Sequence, residues 1–113
     1  MKIIIEILSI DELKQMAQAT FGNLVKGVVD VDRELLAVDA ELHSDLEALL
    51  LEDGSKQKNL WGINLYPDLR GDDFIEFDSM INMRPSQGNR SREIESREVR
   101  NKIIEIVAMR IKR

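Results

Sequence analysis

Apolar and polar positions along this chain fall into short, sharply bounded segments. Lys2 to Leu8 is rich in β-branched residues and reads as a strand. Ser9-Ile10-Asp11-Glu12 then opens a helix, with Ser9 capping free amides while Glu12 reaches back, the reciprocal pattern of a capping box. Ile10, Leu13, Met16, Ala17 and Phe21 recur at helical spacing, and Gly22 supplies the left-handed residue that closes the last turn. Val25–Val31 and Leu35–Asp39 read as the two arms of a hairpin turning at Asp32, Arg33 and Glu34, with Asp30, Asp32 and Asp39 as charges at its ends. Ser44-Asp45-Leu46-Glu47 repeats the capping pattern before a short helix through Leu46, Leu49 and Leu50, which Asp53-Gly54 stops. Leu60–Tyr66 and Asp73–Met83 read as strands joined by a turn at Pro67–Asp72. A last helix spans Ser96–Ile111, with Val99, Ile103, Ile106, Val107 and Ile111 on one face. Acidic residues near its start and basic residues near its end complement the helix dipole.

The order β-α-β-β-α-β-β-α predicts an α+β fold, a mainly antiparallel sheet of about five strands with helices on one face. The 113 residues leave room for one core, so residues 1–113 are read as a single domain. Alternation sorts the two later strands into faces. Trp61, Ile63, Leu65, Ile75, Phe77, Ser79, Ile81 and Met83 fall on an apolar face, to be covered by the first and last helices. Gly62, Asn64, Tyr66, Glu76, Asp78, Met80, Asn82 and Arg84 fall on the other. A solvated sheet face alternates in this way without further purpose. However, Asn and Asp are poor strand formers, and Asn64, Asp78 and Asn82 pointing together suit specific hydrogen bonding. Met80 on the polar side is an anomaly.

Composition narrows the chemistry. No cysteine is present, which removes disulfides, thiolate metal sites and a cysteine nucleophile and agrees with a cytoplasmic protein. His43 is the only histidine, so a site with two histidines cannot form within one chain. No apolar run approaches a membrane span, and no secretory signal pattern is seen at the start. The net charge of −5 is divided: residues 1–83 carry 7 basic and 17 acidic side chains, residues 84–113 carry 9 and 4. The acidic balance argues against general nucleic-acid binding, while the last third can meet an anion.

Glu76 and Asp78, two apart on one strand face, are candidates to share Mg²⁺ or Mn²⁺ or to act as acid and base, although acidic pairs of this kind are commonly just solvated. His43 is a candidate proton carrier or a structural histidine. The loop after Arg84 carries Ser86, Gln87, Asn89, Arg90 and Arg92. With Asn64, Tyr66, Asn82 and Arg84 these make a candidate anion-binding set, since arginine forks suit phosphate and carboxylate. The competing reading is an exposed loop paired with the acidic part of the chain. Neither a P-loop nor a dinucleotide fingerprint occurs.

The runs Leu60-Trp61-Gly62-Ile63-Asn64-Leu65-Tyr66-Pro67 and Phe74 through Asn82, continued by Arg84-Pro85-Ser86-Gln87-Gly88-Asn89-Arg90-Ser91-Arg92, with Glu41-Leu42-His43 upstream, are distinctive. On these motifs the chain resembles a family of small prokaryotic proteins known only as a domain of unknown function, over most of its length. The resemblance implies one complete domain and brings no activity with it.

Three functions fit. A ligand-binding or regulatory module would use the polar face and the arginine loop for an anionic small molecule, a nucleotide or an acidic partner segment. A small hydrolase of the phosphoester class would place a divalent ion on Glu76 and Asp78, proton transfer on His43 or Glu41 and charge stabilisation on Arg84. A toxin–antitoxin-type partner protein would need no small-molecule site. Sheet edges also leave a homo-oligomer open.

Overall fold

The computed structural model describes residues 1–113. In chain order the elements are strands β1 (Lys2–Ile4) and β2 (Leu8–Ser9), helix α1 (Ile10–Ala19), strands β3 (Val25–Asp30) and β4 (Leu35–Val38), helix α2 (His43–Glu52), strands β5 (Leu60–Leu65) and β6 (Ile75–Glu76), helix α3 (Arg97–Arg110) and strand β7 (Ile111–Lys112). Five strands form one antiparallel sheet in the order β1-β4-β3-β5-β6, while β2 and β7 pair in parallel as a separate clasp between the two ends of the chain. The fold is α+β with a mainly antiparallel sheet, as the pattern predicts.

Alternation along the strands divides the core in two. Val25, Val29, Leu36, Val38, Trp61, Ile63 and Leu65 point to one face, where Leu13 and Ala17 of α1 and Ile103, Ile106 and Val107 of α3 cover them. Val28, Leu35, Ala37 and Leu60 point to the other, where Leu46 and Leu50 of α2 pack. Placing all helices on one face is therefore corrected. The strands β3 and β4 are apolar on both sides, and an apolar second face needs its own cover. α1 and α3 do take the expected face.

Several boundaries differ for physical reasons. Ser9 accepts from the Glu12 amide at 3.1 Å and caps α1 as expected, and the Gly22 amide closes that helix on the Ala17 carbonyl with φ at 93°. The second capping box does not form: α2 begins two residues earlier than a Ser44 cap implies, at His43, with Leu42 as an uncapped start. The opening strand breaks after Ile4, and the final helix stops at Arg110 because Ile111 turns extended to pair with Leu8. Asp30 is fully buried, and its Oδ1 accepts from the Asp32 and Arg33 amides at 2.9 Å, so it builds the hairpin turn rather than decorating it.

The largest difference lies after β6. The expected strand Asp73–Met83 survives only at Ile75–Glu76, and residues Met80–Asn82 form a 3₁₀ turn. Ile75 and Phe77 pack against the α1/α3 core, but Ile81 packs against the α2 core. The chain thus crosses the sheet edge between them, and alternation no longer assigns faces. Gly62 makes the crossing feasible. A Cβ there would lie 2.5 Å from the Ser79 Cβ and 2.7 Å from its Oγ, so only glycine admits Ser79 at this depth.

Candidate ligand-binding cleft

The polar residues of the 76–92 segment separate into two groups. The first ties the crossing down. With β6 finished, the Gly62 backbone lacks a strand partner on that side. Asn82 supplies both bonds: its Oδ1 accepts from the Gly62 amide at 2.8 Å and its Nδ2 donates to the Gly62 carbonyl at 3.0 Å. Arg84, 8% exposed, donates to the carbonyls of Ile81 at 3.0 Å and Gln57 at 2.9 Å and to that of Leu60. Its guanidinium stacks 4.7 Å from the Trp61 ring centroid and lies 3.7 Å from Glu47 Oε2. Asn89 is buried beside it, donating to the Asn82 and Glu93 carbonyls at 2.7 Å and accepting from the Glu95 amide at 2.9 Å. These three side chains replace missing secondary structure with side-chain hydrogen bonds, as buried backbone groups require.

This overturns the place given to Arg84 and Asn82 on a solvated sheet face. Burial pushes the Arg84 pKa down while Glu47 pulls it up, and its donors are spent on the chain's own carbonyls. The loop amides are spent too: those of Arg90 and Ser91 donate to the Glu95 carboxylate at 2.7 and 3.0 Å, holding that carboxyl below its ordinary range. The anion cradled by this loop is the chain's own Glu95. Ser86, Gln87 and Arg90 stay exposed, with Gln87 donating to the Lys58 carbonyl at 3.2 Å.

The second group lines an open cleft of about 360 Å³ between the start of α2 and the crossing segment. His43, Asn64, Glu76, Asp78 and Arg92 all reach it, bringing together five candidates from distant parts of the chain. Sheet register explains part of this. Lys26 lies opposite Asn64, and Asn64 opposite Glu76, so the three form a row across β3, β5 and β6. Asn64 is buried, and its Nδ2 donates to Glu76 Oε1 at 2.8 Å and to the Asp78 carbonyl at 3.2 Å. Its Oδ1 is buried with no partner. Tyr66 donates to the same Glu76 oxygen at 3.0 Å, and burial first, then that bond, raises the phenol's pKa. Asp78 pairs with Arg92 at 2.8 Å.

His43 Nε2 sits 2.8 Å from the Ile63 carbonyl oxygen. A carbonyl only accepts, so Nε2 carries the hydrogen and, in the neutral ring, Nδ1 keeps a lone pair. Burial lowers the His43 pKa from its ordinary 6.5, and the Lys26 charge acts the same way. The Ile63 carbonyl, the Asn64 side chain and the Asp78 charge oppose them. The ring is therefore neutral at neutral pH, and the cleft floor is rich in acceptors.

The strand expected to carry both Glu76 and Asp78 ends between them, and the two carboxylates bind different partners, Glu76 with Asn64 and Tyr66 and Asp78 with Arg92. The cleft also uses residues that the sequence pattern did not mark for a site, Lys26 on the wall and Phe21 and Leu42, which join Met80 at an exposed apolar rim. The Met80 anomaly belongs to that rim. Lys26 carried a readable signal, since it alternates onto the α2 side of a valine-rich strand where only a purpose or a solvent path keeps a charge.

Set against known families, the chain matches over residues 2–110 the model of a family described as a protein of unknown function, DUF5674, and it belongs to that family. No curated protein and no solved structure matches it.

Proposed function

We propose that this member of the family is a small ligand-binding or regulatory module, acting in the cytoplasm, whose cleft takes a small polar molecule. The ligand class follows from what the cleft leaves unmet. The observation that carries the reading is the buried Asn64 Oδ1, which only a protonated His43 ring could donate to and which has no partner while that ring is neutral, although both hydrogens of the same amide are placed. An unfilled buried acceptor costs about 1–3 kcal/mol, a cost that a ligand N–H would remove. With the His43 lone pair beside it, the floor selects a donor such as an ammonium, amide or ring N–H. Lys26 and the outer side of Arg92 offer a place for a carbonyl or carboxylate on the same molecule. The volume suits a small metabolite, at the lower end of ordinary ligand pockets. An anion held chiefly by the arginine loop fits less well, because Arg84 and the loop amides are already committed.

The test is a panel of millimolar zwitterions, amides, phosphates and nucleotides read by thermal shift and by NMR of the His43 ring. Donor-bearing zwitterions or amides raise Tm, and Lys26→Met or His43→Phe removes the rise without unfolding the protein. Stabilisation by phosphates alone, or none by any compound, overturns the proposal.

One observation favours a second reading. His43, Glu76 and Asp78 meet in one cleft, as a hydrolase would require, with Nδ1 of His43 as the base. Turnover of ester or phosphoester substrates by the wild type and not by His43→Phe would select it.

A further inference from the structure

A second concavity lies on the other face of residues 74–78, whose side chains divide between it and the cleft. It is a groove of about 1140 Å³ between the edge strand β6, the turn before it, α3 and the C-terminal residues. That is beyond the usual size of a small-molecule pocket. Its floor is apolar: Phe74, Ile75, Phe77, Ile104, Val107 and Ile111. Ile104 is 47% exposed there. Its rim is basic. Arg97, Arg100, Lys112 and Arg113 line it against a single acidic residue, Asp72.

Two of these cations are held in place by the chain. The Arg100 guanidinium lies 5.2 Å from the Phe77 ring centroid, and its Nε donates to the Ile94 carbonyl. The Arg113 guanidinium lies 4.5 Å from the Phe74 centroid and donates to the Leu69 carbonyl at 2.8 Å. The chain has 21 acidic residues and a net charge of −5, yet none of the four cations has a carboxylate within 4 Å. The ion pairs that do form use Lys14, Arg33, Arg84, Arg92 and Lys102. Four of the nine basic residues of the last third thus gather, without ion pairs, around an apolar floor.

We infer that this groove docks an acidic protein segment that carries apolar side chains. Carboxylates of the partner meet the four-cation rim, and its apolar side chains cover the half-buried Ile75 and the exposed Ile104. Groove-bound peptides divide their recognition in this way, with apolar anchors below and charge complementarity setting partner choice. Nucleic acid fits less well. The phenylalanine faces on which bases would stack are occupied by the arginines, and the remaining floor is aliphatic.

The test uses the intact chain and fluorescence anisotropy with labelled probes. These are a peptide alternating glutamate and leucine, its lysine–leucine and glutamate–serine counterparts, single-stranded RNA, and vesicles with an anionic lipid. The glutamate–leucine peptide binds, and binding weakens as salt rises because the pairs lie at a solvated rim. The double substitution Arg97→Glu with Arg113→Glu weakens it by about tenfold or more. Ile104→Glu, at an exposed position that leaves folding intact, also abolishes binding, which separates a lost surface from a lost fold. Equal binding of the lysine–leucine or glutamate–serine peptide overturns the inference. So does binding of RNA or vesicles without the glutamate–leucine peptide, and so does binding that survives both variants.

Discussion

The tie at the sheet edge and the cleft beside it are built from the same kinds of side chain, amides and ionisable groups, which the tie draws from the segment after β6 and the cleft from β3, α2, β5, β6 and that segment. They differ in what fills their hydrogen-bonding capacity. Asn82, Arg84 and Asn89 spend theirs on backbone groups that the broken strand would otherwise strand without partners. In the cleft, Asn64 keeps one buried acceptor open and His43 keeps a lone pair. A polar side chain saturated by main chain holds the fold, and one left unsaturated beside open space is available to a ligand. The lesson extends to the Arg90–Ser91 turn, where the chain's own Glu95 occupies the amides that a free anion would seek.

Substitutions can break the contrast. Arg84→Met carries the largest effect. It leaves the carbonyls of Gln57, Leu60 and Ile81 short of a donor and Glu47 buried without its cation, and destabilisation of about 3–5 kcal/mol is expected in urea unfolding. A loss below 1 kcal/mol would return Arg84 to the group available for a ligand. Gly62→Ala comes next. Its methyl would overlap Ser79, and the crossing must shift at a cost of about 1–3 kcal/mol, with new NMR shifts concentrated in residues 78–84. Unchanged stability and spectra would show that Ser79 sits elsewhere.

The smallest effect belongs to the cleft and concerns pH. The His43 pKa is lower folded than unfolded, so the unfolded chain binds the proton more readily. Its contribution to stability is full above the ordinary value of 6.5 and is lost as pH falls from there through the folded pKa. His43→Phe should flatten that part of the stability-against-pH curve and leave the rest unchanged. A histidine NMR titration midpoint at or above the ordinary value would contradict the neutral, acceptor-presenting ring.

Much of the fold is legible in the residues. The hairpin of β3 and β4, the inward face of Trp61, Ile63 and Leu65, the Ser9 cap and the apolar stripe of α3 all follow from periods of 2 and 3.6. The candidate site is half legible. Asn64, Glu76, Asp78, Arg92 and His43 were marked by residue type and do meet. Arg84, Asn82 and Asn89 were marked by the same signal and serve the fold. Lys26 went unmarked because its importance comes from register with Asn64, which depends on strand pairing.

The sequence alone determined the elements that rest on local periodicity, and it determined that the segment from Glu76 to Arg92 would carry unusual polar chemistry. It determined the charge division as well, though not that Arg97, Arg100, Lys112 and Arg113 would converge around one groove. Tertiary structure alone decided that α2 covers a second apolar face, that the chain leaves β5 after Glu76 and crosses over Gly62, and which polar side chains turn inward. The reason is physical. Periodicity is a property of neighbours along the chain, whereas the partner of a buried hydrogen-bonding group is set by whatever strand, loop or open space the fold brings against it.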